Sequence, residues 1–287
     1  MASTRDIRRR IKSVKNIQQI TKAMKMVAAA RLRKAQEKAL ASKPYTDKII
    51  EVLSDVAQHA PDCGHPLLAV REIKRTGYLI LSADKGLAGA YSSNVIKEAL
   101  PLLRGNDNAG INAVGRKTRD YFKRRGYALD REYTGFSERP SYQDAVRLAQ
   151  EMAEAYTSGE YDEIHIVYTR FFSPGHFRPA TMRLLPMDTP VQTDAERDPD
   201  APSTIIFEPS AQEVLELLLP KYLETVIYGA LLQSAASELG ARMMAMSSAT
   251  DNAQELISQL VLNYNKVRQA NITREITEIV GGAEALK

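Results

Sequence analysis

Two interleaved seven-residue series run through the last third of the chain. One is Leu232, Leu239, Met246, Ala253, Leu260 and Val267; the other is Gly229, Ala236, Met243, Thr250, Ile257 and Tyr264. All of these positions are apolar or glycine except Thr250. A sustained period of seven implies a helix that winds left-handed around a partner. Such a helix buries one stripe and is not stable alone in water, so a second long helix must come from somewhere. The helical pattern begins over Ser210–Leu219. Pro220 interrupts it and is placed as the first residue of the next helix, which runs to about Ala283. The small residues Gly229, Ala236 and Ala253 would let a partner approach closely.

The other end of the chain supplies that partner. Residues 3–57 contain no glycine and, as their only proline, Pro44, where a kink or joint is expected. Apolar or small residues recur at Ile7, Ile11, Val14, Ile17, Thr21, Met24, Ala28, Leu32, Ala35 and Ala39, a mean spacing close to that of a coiled-coil seam. A helix of this length would reach roughly 80 Å.

Between the two lies a different pattern. His59–Pro66 is turn chemistry. Tyr78–Ser82, Ile111–Gly115, Glu163–Thr169 and Thr181–Leu185 read as strands. Helical patterns fill the stretch before Leu103, Arg116–Arg125 and Tyr142–Thr157. Alternating strands and helices predict a Rossmann-like α/β layer with a parallel core. Residues 186–204 read as a linker. The expected organisation is an N-terminal coiled-coil helix (1–60), an α/β domain with its linker (61–205) and a C-terminal coiled-coil helix (206–287).

If the inserted domain is compact, the helix ends attached to it are close in space, and the two helices must pair antiparallel. Charge supports the pairing. Residues 5–38 hold twelve Lys/Arg against Asp6 and Glu37, whereas residues 205–287 hold six Lys/Arg and ten Asp/Glu. Matching the lengths places residue 3 near residue 270. The remaining tip then has no partner helix, although Ile272, Ile276, Ile279 and Val280 keep it apolar, and an uncovered apolar tip implies a partner surface.

Composition removes several classes. Cys63, the single cysteine, excludes an intramolecular disulfide, and the four histidines form no cluster suited to zinc. His165 and His176 read as structural or exposed. No apolar run approaches the ~20 residues that span a bilayer. The N-terminus lacks the apolar core of a secretory signal, so a cytoplasmic protein made at its mature length is expected. The turn Asp84-Lys85-Gly86-Leu87-Ala88-Gly89 has neither the spacing of a P-loop nor a full dinucleotide fingerprint, and reads as a tight strand-to-helix turn.

Three segments carry a resemblance to a known family. They are Asp6-Ile7-Arg8 through Val27-Ala28, Ser234-Ala235-Ala236-Ser237-Glu238 through Asn252-Ala253, and Asn263-Tyr264-Asn265 through Gly282-Ala283. Together with the turn at Ser82–Gly89 they resemble the gamma subunit of bacterial F-type ATP synthase. The resemblance implies a central rotor shaft that threads a ring of three alpha and three beta subunits. Its globular part would sit beside epsilon on the membrane c-ring, at the cytoplasmic face of the inner membrane. ATP, ADP and Mg would be bound by alpha and beta, with no cofactor, metal or catalytic residue in this chain.

By the same resemblance, Arg268, Gln269, Thr273 and Glu275 form the catch against the ring. Met24, Lys25, Arg31, Arg33 and Lys34 lie where the shaft meets an acidic loop of beta. A cysteine-pair redox switch of the chloroplast type is not available with Cys63 alone. A second class stays in view, a free coiled-coil scaffold or nucleic-acid binder using the basic helix. Against it, residues 1–44 contain no Phe, Tyr or Trp to stack on bases.

Overall fold

The computed structural model describes residues 4–59, 65–106, 108–187 and 210–285. Cys63, the turn over 60–64 and residues 188–204 of the expected linker lie outside these. Helix α1 spans Thr4–His59 and helix α5 spans Ala211–Ala285. Between them come a 3-10 turn at Pro66–Leu68, strand β1 (Thr76–Leu81), helix α2 (Tyr91–Arg104), strand β2 (Gly110–Val114), helix α3 (Arg116–Arg124) and strand β3 (Arg131–Tyr133). Helix α4 (Tyr142–Thr157), strand β4 (Glu163–Ser173) and strand β5 (His176–Leu185) complete the series. The chain divides into two compact units, one of residues 1–28 with 242–287, the other of residues 29–241.

In the larger unit the sheet has the order β3-β2-β1-β4-β5. The first four strands are parallel, and β4 and β5 form an antiparallel hairpin. β1 is buried along its whole length, as a central parallel strand covered on both faces must be. Its side chains alternate. Leu79 and Leu81 enter a core shared with α4 and with Ile49, Leu53, Val56, Leu215, Leu219 and Leu223 of the long helices. Tyr78 and Ile80 enter a second core with Tyr91, Val95 and Ala99 of α2 and Phe122 of α3. Burying each such aliphatic side chain stabilises the fold by about 1.5–3 kcal/mol. α4 starts at a full capping box: Ser141 Oγ accepts from Asp144 N, and Asp144 accepts from Ser141 N.

In the smaller unit α1 and α5 pair antiparallel. As the residue number falls along α1 it rises by nearly the same step along α5. Lys25 meets Ser247, Thr21 meets Thr250, Gln18 meets Gln254 and Arg8 meets Tyr264.

Four expectations change. Pro220 does not begin a helix, because α5 already runs from Ala211 and carries Pro220 inside it, as α1 carries Pro44. Ile17 is 50% exposed and Gln18 takes the seam position. The α1 stripe follows a strict seven-residue period through Ile7, Val14, Thr21, Ala28 and Ala35, with Ile11, Gln18 and Leu32 as its second row. Gly229 is not a point of close approach, since a Cβ there would meet nothing within 4 Å; one at Gly240 would lie 2.9 Å from the Pro174 carbonyl. The last strand is longer than expected and pairs back on β4, and β3 is an added edge strand.

Candidate functional site

In the smaller unit the seam between α1 and α5 is polar at its centre. Thr21 Oγ1 and Thr250 Oγ1 are 2.8 Å apart. Gln18 Nε2 donates to Gln254 Oε1 at 2.8 Å and Lys25 Nζ donates to Ser247 Oγ at 2.9 Å. Arg8 donates to the Tyr264 hydroxyl at 2.7 Å and stacks over its ring. Apolar Ile7, Ala28, Met246, Ala253 and Ile257 are buried around these pairs. Lys25 thus has a partner within the unit, while Met24 is half-buried beside it. Arg9, Arg10, Lys12, Lys15 and Lys22 are exposed, so the outer face of α1 is basic.

Four residues on from the Arg8–Tyr264 pair, Thr4 comes level with Arg268. α5 continues to Ala285 with no described residue of α1 opposite. Arg268, Gln269, Thr273 and Glu275 all lie on this stretch or at its edge, and all are exposed. Ile272, Ile276, Ile279 and Val280 are 47%, 55%, 71% and 61% exposed. The tip therefore presents polar catch candidates and uncovered apolar side chains together. Among its described side chains, Arg274 and Glu278 form an ion pair at 3.5 Å and Thr277 bonds to the Thr273 carbonyl at 2.9 Å. About 20 residues of helix, roughly 30 Å, separate the tip from the level of Met24 and Lys25, so the structure does not gather these two sets into one spot.

Arg31, Arg33 and Lys34 belong to the larger unit. Arg33 and Lys34 are exposed. Arg31 is half-buried and pairs with Glu138, which also takes Lys85 Nζ at 3.3 Å. Glu138 follows β3 and Lys85 lies in the turn after β1, so both stand at the carboxyl edge of the parallel strands. In dinucleotide-binding sheets that edge holds the ligand's phosphates. Here a carboxylate of the chain itself occupies the amide cluster: Asp84 accepts from Gly135 N at 2.8 Å and from Arg116 N and Ser137 N at 3.2 Å. Gly115, just before α3, has φ of 96°, and a Cβ there would lie 2.4 Å from the Ser82 carbonyl, so only glycine fits this tight edge.

Asp84, Lys85 and Glu138 escaped the sequence reading as a group because their contacts join three separate loops. Gln18 was legible in principle, since it falls on the seam once the strict seven-residue count is applied to α1, whereas Ser247 and Gln254 each stand one residue past a seam position, after Met246 and Ala253. Among the described residues no group of three or more His, Cys, Asp or Glu is placed to hold a metal ion, and no helix is long and apolar enough to cross a membrane.

A sequence profile of the family described as ATP synthase matches residues 3–286. The ATP synthase gamma chain of Heliobacterium modesticaldum is 49% identical, with 100% of both chains covered. That of Desulforamulus reducens is 50% identical, again over 100% of both. In structure the chain is similar to one from the mitochondrial ATP synthase of Euglena gracilis, with a TM-score of 0.69 and 20% identity over 99% of this chain and 94% of that one, a likeness of fold. Nothing in these likenesses favours a free scaffold or a nucleic-acid binder. Two long helices enclosing a Rossmann-like sheet, and end-to-end identity near one half, place this chain in the ATP synthase gamma chain family.

Proposed function

We propose that the chain is the central rotor shaft of an F-type ATP synthase, coupling proton-driven rotation of a membrane c-ring to conformational changes in catalytic beta subunits. The observation that carries this reading is the full-length identity to bacterial gamma chains. The exposed tip of α5 agrees with it: an apolar, polar-studded helix end with no partner helix among the described residues suits the inside of a protein ring.

In this reading the work of the chain is conformational. A shaft changes nucleotide affinity in beta only by contacting the beta states unequally, and an asymmetric tip does that as it turns. Arg268, Gln269, Thr273 and Glu275 are the catch. Met24, Lys25, Arg31, Arg33 and Lys34 face the acidic loop of beta. The chain has no catalytic site and binds no cofactor; ATP, ADP and Mg belong to alpha and beta. Epsilon and the c-ring meet the globular domain, and the chain is a peripheral subunit on the cytoplasmic side of the bacterial inner membrane.

The test is purification of a tagged chain from membranes under mild conditions. Copurification with alpha and beta in a three-to-three-to-one ratio, with ATPase activity, is expected. Recovery of the chain alone, or with nucleic acid, would refute the reading.

A further inference from the structure

Apolar burial holds α1 against the sheet domain through Ile49, Leu53 and Val56. These contacts set how the helix packs through the fit of interdigitated side chains, and none of them is a directional bond. A charge-assisted hydrogen bond has a set length and direction. α5 has polar bonds of fixed geometry to this domain. Tyr142 donates to Glu224 at 2.6 Å, Thr169 N donates to Ser234 Oγ at 3.3 Å, and Ser237 Oγ donates to the Thr169 carbonyl at 3.3 Å. On α1 one such bond is Arg31 to Glu138.

Glu138 is placed to do more than pair once. Its side chain is only 11% exposed, and it holds Arg31 of α1 and Lys85 of the β1–α2 turn together. Lys34, Lys38 and Arg139 line the same cavity of about 260 Å³ beside Arg31, so the carboxylate is the acidic centre of a basic wall.

We propose that Glu138 is a clasp, a positioning residue that locks the rotational phase of α1 to the sheet domain, so that both turn as one body under load. This rests on the rotor reading above. It adds a residue on the sheet domain whose part in coupling is internal to the chain.

The test uses the assembled membrane complex with Glu138→Gln, Glu138→Asp and Lys85→Gln. Gln keeps the shape and removes the charge, and neither cation is left deeply buried, since Arg31 and Lys85 side chains are 33% and 66% exposed. We expect unaltered thermal stability and ATPase turnover in the detached complex, but a severalfold fall in protons pumped per ATP hydrolysed against a gradient for Glu138→Gln. Glu138→Asp should recover part of the ratio, and Lys85→Gln should lower it less than Glu138→Gln. A purely structural role would move stability and leave the ratio alone. Wild-type pumping with Glu138→Gln pumping equally well per ATP overturns the clasp and spares the rotor reading. ATP hydrolysis without any pumping by the wild type overturns both. If Glu138→Gln does not assemble, Lys85→Gln decides: an unchanged ratio there overturns the clasp.

Discussion

Thr21 and Thr250 face each other across the seam of α1 and α5 with their hydroxyl oxygens 2.8 Å apart, and each hydroxyl also lies within hydrogen-bond distance of a carbonyl of its own helix, Thr21 of Gln18 and Thr250 of Met246. The two hydroxyls have one proton each for these three contacts, so the one that donates across the seam gives up the carbonyl of its own helix. Thr21→Val and Thr250→Val should each cost about 0.5–1.5 kcal/mol. The double variant should lose less than the sum of the two, the mark of a direct pair. Chemical denaturation followed through the helix signal checks this, and strict additivity would show that the contact carries no energy.

The amide cluster around Asp84 gives a larger effect. The Asp84 side chain is 7% exposed and accepts three backbone N–H groups from two loops. Asp84→Ala leaves those donors without a partner and should destabilise the sheet unit by about 1–3 kcal/mol. Asp84→Asn, which keeps one acceptor oxygen, should fall between. Equal stability of Asp84→Ala and the wild type would mean that the loops close without the carboxylate.

The residues proposed as the catch should behave in the opposite way. Arg268 and Gln269 are exposed on α5, so Arg268→Ala and Gln269→Ala should change stability by less than about 0.5 kcal/mol. Both should lower the ATPase rate of the assembled complex. Full turnover in both variants would remove these two residues from the contact with the ring.

At the tip, Ile276→Ser combined with Ile279→Ser removes apolar surface from side chains that are 55% and 71% exposed. The isolated chain should unfold as the wild type does, while assembly with alpha and beta weakens. Native electrophoresis of reconstituted complexes measures this, and undiminished assembly would show that the apolar face of the tip is idle.

Asp162 links the fold to acid. Its carboxylate accepts the backbone N–H groups of Lys74 and Arg75 at 2.9 Å, and these bonds hold its pKa below the ordinary 3.8. A depressed folded value contributes stability above the unfolded pKa, and that contribution drains away as pH falls below 3.8 towards the folded value. Asp162→Asn should therefore be less stable than the wild type at neutral pH, with the gap narrowing as the solution is acidified through that range. A gap independent of pH would mean that the bonds serve neutral and charged forms alike.

Much of this architecture is legible in the sequence, for a physical reason. The seven-residue period of Leu232 through Val267 demands a partner, and the glycine-free N-terminus offers one. The lengths of the two segments then leave Ile272–Val280 uncovered. Local rules failed where tertiary packing overrode them. Pro220 looks like a helix start, yet α5 runs through it, because Leu215, Leu219 and Leu223 on its two sides are buried in one core. Ile17 looks like a core residue, yet the seam turns it outward and takes Gln18 instead. β3 was missed because Arg131-Glu132-Tyr133 carries no apolar alternation and is a strand only by pairing with β2. Glu138 could not be found at all, since nothing local marks an acid whose partners lie on α1 and in the β1–α2 turn.

A rotor shaft must turn inside a ring that is held still. With the complex immobilised through its alpha–beta ring and supplied with ATP, the motion of a probe attached to an exposed residue of the sheet domain can be followed. Stepwise rotation in one direction is expected, with one dwell position for each beta subunit. Continued ATP turnover with the probe stationary would contradict it.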